Sequence, residues 1–118
     1  MNELIRWQKE LDNAIVEKSN VKPTRKDLAT ALLVEASELL EVCGYRWWKN
    51  EILDEEAIKE ESIDILHFLL SFFNKMGMDA DEVKRLYSKK RNVNFNRLAK
   101  QEFKAEVVSL FALRGEQK

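Results

Sequence analysis

An all-α fold is the class this sequence predicts, and three observations predict it. Turn formers are scarce, with three glycines and one proline in 118 residues, whereas sandwiches and barrels need a turn signal about every 8–12 residues. Apolar residues recur at helical spacing over long stretches. The residues that interrupt those stretches have the chemistry of helix starts and stops. A chain of this length suits one domain over residues 1–118. Short connections then predict antiparallel neighbours in a four-helix-type bundle.

The first helix runs from about Asn2 to Ser19, where Leu4, Trp7, Leu11 and Ile15 form one apolar stripe. Ser19-Asn20 and Pro23 break it. Thr24 and Asp27 form a capping box opening a second helix, about Arg25 to Cys43, which Gly44 closes. Tyr45 to Leu53, carrying Trp47 and Trp48, has no clean period and reads as a loop. Asp54-Glu55-Glu56 suits the start of a third helix, which continues to Met76 and stops at Gly77. Asp79 and Glu82 form the next capping box, and a fourth helix runs from about Ala80 toward Arg97. Phe103, Val107, Leu110 and Phe111 mark a candidate extra C-terminal helix.

Composition excludes several functions. The lone Cys43 permits no internal disulfide or multi-cysteine metal site, and the lone His67 no histidine-rich zinc centre. Twenty basic against twenty-one acidic residues give a net charge of −1, so neither nucleic acid nor an anionic membrane is the expected partner. No apolar run approaches the roughly 20 residues of a membrane span. The start Met-Asn-Glu-Leu-Ile-Arg lacks a signal-peptide pattern, and a cytoplasmic protein is expected.

The informative residues violate the apolar pattern. On a helical wheel Leu28, Leu39 and Val42 fall within roughly 40° of Glu35, so Glu35 sits at the centre of the apolar face. Glu38 lies about 60° to one side. The third helix is apolar almost all round from Ile63 to Phe73, as a buried helix is, yet Asp64 interrupts that run with Glu61 one turn earlier and Glu60 beside it. Each helix thus presents an acidic pair at i, i+3, which projects both side chains from one face. Glutamates on helices are usually solvated. Two pairs on apolar faces instead make a four-carboxylate cluster suited to a hard ion such as Mg²⁺, with Mn²⁺ as a substitute.

The fourth helix supplies the opposite charge. Tyr87, Lys90, Arg91 and Asn94 lie close together on its wheel, with Arg97 about 80° from Tyr87, and such donors can hold polyphosphate oxygens. Gln8 lies inside the stripe of the first helix, so its amide faces the core and needs partners, either backbone or the edge of a bound base. Trp47, Trp48 and Phe68 read first as packing residues, and His67 as a core group or one that supports a ligand residue.

In this order, Glu35-Ala36-Ser37-Glu38 and Glu60-Glu61-Ser62-Ile63-Asp64 resemble the two acidic motifs of the all-α nucleoside triphosphate pyrophosphatases, which include the dimeric dUTPases and MazG-like enzymes. Ile65-Leu66-His67-Phe68, Arg46-Trp47-Trp48-Lys49 and the spacing Tyr87, Lys90, Asn94, Arg97 resemble the dimeric dUTPase version more closely. The similarity covers about residues 4–98. It implies that Glu35, Glu38, Glu61 and Asp64 hold Mg²⁺. It also implies that Gln8, Trp47 and Phe68 line the base and sugar pocket, and that Lys90, Asn94 and Arg97, with Tyr87 nearby, contact phosphates and sugar. The implied reaction is hydrolysis of a nucleoside triphosphate, dUTP first, to the monophosphate and pyrophosphate. Glu38, and with it Glu35, is the expected catalytic carboxylate. Arg91 departs from the dUTPase pattern, which often has Asn there, and the inserted second segment of dimeric dUTPases is missing. A MazG-like enzyme of other or broader base preference, dCTP included, therefore stays open, as does a non-enzymatic helical interaction module. The limited core predicts a homodimer or dimer of dimers, burying parts of the third helix and the Phe103–Phe111 segment.

Overall fold

The structure is a computed structural model that describes residues 1–100. It contains α1 (Asn2–Ser19), α2 (Arg25–Val42), α3 (Glu55–Lys75) and α4 (Ala80–Ala99), with no strand among the described residues. The all-α class is therefore observed, and each helix ends within two residues of the sequence expectation. The candidate helix around Phe103–Phe111 lies outside the described residues.

Local chemistry explains the boundaries. The Thr24 hydroxyl accepts from the Asp27 backbone N–H at 3.2 Å, and the Asp27 carboxylate accepts from the Thr24 N–H at 2.8 Å, closing the expected capping box on α2. The Asp54 carboxylate accepts from the backbone of Glu56 and Ala57 and starts α3. Beyond α2, Gly44 adopts φ +69°, and a Cβ there would stand 2.6 Å from a Leu53 methyl and 2.8 Å from a Glu51 carboxylate oxygen. The positive φ favours glycine, and any larger residue would also have to displace the ends of the Leu53 and Glu51 side chains. The same loop is clasped by Arg46, which donates to Glu41 at 2.6 Å and to Glu51 at 3.1 Å.

The chain divides into two compact units, Met1–Ala80 and a second beginning at Asp81. In the first, α1 and α2 both pack on α3. α2 runs antiparallel to α3: its Arg25 lies 3.9 Å from the Met76 sulfur, while Glu35 and Glu38 meet Glu61 toward the opposite end. The core is small. Ile5, Leu28, Leu70 and Ala80 are its buried apolar residues, joined by buried Gln8 and Ser71.

Two expectations need correction. The α1 stripe of Leu4, Trp7, Leu11 and Ile15 is exposed, with Trp7 at 52%. The inward face is Ile5, Gln8, Asp12 and Val16, one residue further round, because Gln8 and Asp12 find hydrogen-bond partners on α3. Likewise α3 is not buried all round. Leu70 and Ser71 are buried, Ile65, Leu66, Phe68 and Leu69 are half-buried, and Ile63 is exposed.

Candidate active site

The α2–α3 contact brings three of the four expected carboxylates together. One oxygen from each of Glu35, Glu38 and Glu61 lies within 4.8 Å of the other two. Glu35 occupies the half-buried face with Ala31, Leu39 and Val42, as the wheel predicts, while Glu38 is exposed. Burial pushes the Glu35 carboxyl above its ordinary value of 4.5, and the charges of Glu38, Asp64 and Glu61 push the same way. Burial also raises Glu61, and the charges of Glu38 and Asp64 add to it. Asp64 is exposed and stands outside the converging trio, close enough for its field to act on both.

One oxygen of Glu35 and one of Glu61 are buried without any hydrogen-bond partner. No ion pair among the described residues involves Glu35, Glu38, Glu61 or Asp64. Buried carboxylate oxygens are costly in that state. A hard divalent cation with oxygen ligands supplies the missing partner, so the residues present fit such an ion.

A second polar group joins α1 to α3. Gln8, 5% exposed, donates from its amide nitrogen to Asp12 at 3.0 Å and to Ser71 at 3.1 Å. The Ser71 hydroxyl donates to the same Asp12 oxygen at 2.9 Å, and Gln8 Oε1 lies 2.6 Å from His67 Nδ1. Gln8 is buried as expected, although the stripe from which that was argued is exposed, and its partners are side chains rather than backbone or an open base edge. Asp12 and Ser71 are the residues that sequence reasoning missed. The available signals were a serine inside the apolar run Leu69-Leu70-Ser71-Phe72 and an aspartate one turn beyond Gln8. Gln8, His67 and Phe68 share the wall of a cavity of about 380 Å³ with Leu11, Ile15 and Leu28.

Trp47 does not line that cavity. It is 88% exposed on the α2–α3 loop, edge-on to Trp48 at 5.8 Å between ring centroids. In the second unit, α4 groups the expected polar residues. Tyr87, Lys90 and Asn94 line one hollow with Phe95, and Lys90, Asn94 and Arg97 line another. Arg91 is stacked 4.7 Å from the centroid of the Phe95 ring.

Residues 1–79 match a protein-family model described as dUTPase. A stretch of 44 residues is 46% identical to the dCTP pyrophosphatase of Enterobacteria phage T4, covering 37% of this chain and 26% of that protein. The match thus spans about a quarter of that relative's length. No solved structure matches the chain.

Proposed function

The chain belongs to the dUTPase family, and from that membership we propose that it is a Mg²⁺-dependent nucleoside triphosphate pyrophosphohydrolase acting first on dUTP. The observation that carries this reading is the α2–α3 trio with its two unpartnered buried oxygens, which lies within the matched residues. Glu35, Glu38 and Glu61 would hold the ion, with Asp64 at its margin. A divalent ion there supplies charge neutralisation for phosphate oxygens and a lowered pKa for a bound water. Glu38, the exposed member, would be the carboxylate least fully engaged by the ion, with an oxygen left to take a proton from the attacking water. Lys90, Asn94 and Arg97, with Tyr87, offer α4 donors for phosphate oxygens and sugar. The cavity beside Gln8 and Phe68 is the proposed base pocket, within the size range of small-molecule sites. Trp47, exposed on the α2–α3 loop, is the second aromatic residue proposed to meet the base and sugar.

dCTP is the second reading, favoured by the identity to the phage dCTP pyrophosphatase. A non-enzymatic module would pair the acidic residues with basic ones across a dimer interface. Calorimetry with Mg²⁺ and a non-hydrolysable dUTP analogue separates the two: metal-dependent nucleotide binding marks an enzyme, and its absence marks the module.

The exposed stripe of Leu4, Trp7, Leu11 and Ile15 supports a homodimer or dimer of dimers as the working form. The proposed setting is the cytoplasm, and no described helix is long and apolar enough to cross a membrane. A pyrophosphate-release screen over the canonical nucleoside triphosphates plus dUTP, with Mg²⁺ and with EDTA, tests the chemistry. Mg²⁺-dependent release with dUTP leading is the expected result. Turnover in excess EDTA refutes the metal role, and a dCTP lead moves the assignment to the second reading. Light scattering of the same preparation should show a dimer or larger, and a monomer at micromolar concentration refutes that part.

A further inference from the structure

The polar group between α1 and α3 is closed in a way that fixes proton positions. A carboxylate at Asp12 only accepts, so the Gln8 amide must turn its nitrogen toward it and toward the Ser71 hydroxyl, whose own hydrogen goes to Asp12. The amide oxygen then faces His67 and only accepts. His67 Nδ1, at 2.6 Å, must carry the hydrogen. In the neutral ring this leaves Nε2 as a bare lone pair, and His67 lines the same cavity as Gln8 and Phe68. An unconstrained histidine side chain favours the opposite form, with the hydrogen on Nε2. The arrangement therefore reverses a preference, and its source lies in Asp12, two residues removed from the imidazole along the hydrogen-bonded chain.

We propose that Asp12, with Ser71, is a positioning residue that acts through Gln8 to hold His67 in the Nδ1–H form, so that the cavity wall presents a hydrogen-bond acceptor. Such a wall takes a heterocycle whose ring nitrogen carries a hydrogen, as N3 of uracil does. It opposes one whose corresponding nitrogen carries a lone pair, as N3 of cytosine does. The tautomer half of this inference stands on geometry alone. The ligand half rests on the proposed base pocket.

His67 is the one histidine in the chain, so its ring nitrogens give a single, self-assigned pair of ¹⁵N signals. Spectra near pH 8, above the ordinary imidazole pKa of about 6.5, should show the Nδ1–H form in the wild type. Asp12→Ala should move the population to Nε2–H, and Asp12→Asn, which keeps an acceptor oxygen, should restore part of it. Ser71→Ala should give a smaller move in the same direction. A wild-type ring in the Nε2–H form overturns the proposal without recourse to any variant. An unchanged tautomer in Asp12→Ala overturns the positioning role.

For the ligand half, kcat/KM is measured for dUTP and dCTP. Asp12→Ala should narrow the dUTP advantage by roughly 2- to 12-fold, the worth of one neutral hydrogen bond, mainly through KM. Equal losses on both nucleotides overturn the ligand half. If neither nucleotide is turned over by the wild type, the proposed function fails, and the ¹⁵N result still decides the tautomer.

Discussion

α3 carries a polar cluster toward each end, and the two differ in how completely they are satisfied. Toward its C-terminal end, Gln8, Asp12, Ser71 and His67 form a closed set in which both amide hydrogens and the amide oxygen of Gln8 are used. Toward its N-terminal end, Glu35, Glu38 and Glu61 crowd like charges together and leave two buried oxygens bare. A satisfied group adds rigidity and specifies one arrangement. An unsatisfied one costs stability until something binds. The contrast separates two states within one helix unit: one end is satisfied by its own chain, and the other is left with like charges and two bare oxygens.

The largest expected effect tests the unsatisfied end. Glu35→Gln and Glu61→Gln should each lower Mg²⁺-dependent turnover by at least the roughly 100-fold that losing even an outer partner of a metal site can cost. Without metal, the same variants should melt higher than wild type, because each removes one of several mutually repelling charges. Full activity, or a lower melting point in EDTA, would sink the contrast.

The satisfied end should respond with the opposite sign. Gln8→Leu leaves the buried Ser71 hydroxyl and the Asp12 carboxylate short of a donor and should cost about 1–3 kcal/mol in urea unfolding. This expectation replaces a purely base-reading role for Gln8, whose amide is already occupied. A neutral or stabilising result would mean that water or a rotated side chain satisfies the group as well.

The smallest effect is the pH dependence of the metal-free protein. Glu35 and Glu61 have folded values raised above 4.5, so their contribution to stability is full below the unfolded value and is lost as pH rises through the folded one. Asp27, lowered by the Thr24 backbone N–H, contributes with the opposite sign. The difference in melting point between wild type and Glu35→Gln therefore isolates the cluster. It should widen in favour of the variant from about pH 4.5 toward neutrality, and Mg²⁺ should abolish that trend. A difference that is flat with pH in EDTA would refute the repulsion.

Much of this molecule is legible in its sequence because the signals are local. The Thr24–Asp27 box, the Asp54 cap and the turn at Gly44 act within one helical turn, so residue type and spacing determined where α2 begins and ends and where α3 begins. Glu35/Glu38 and Glu61/Asp64 were visible for the same reason: an i, i+3 pair on an apolar face is a one-helix observation. Which face of α1 turns inward was decided only by tertiary structure. Leu4, Trp7, Leu11 and Ile15 form the more apolar stripe, yet Gln8 and Asp12 meet Ser71 and His67 about sixty residues away, and those hydrogen bonds set the rotation of the helix. The trio of carboxylates likewise needed α2 and α3 to run antiparallel at one register, since no single helix contains it. Sequence determined the elements and their chemical content. Only packing decided which polar groups found partners and which were left without one, because a partner distant in the chain leaves no mark on local spacing.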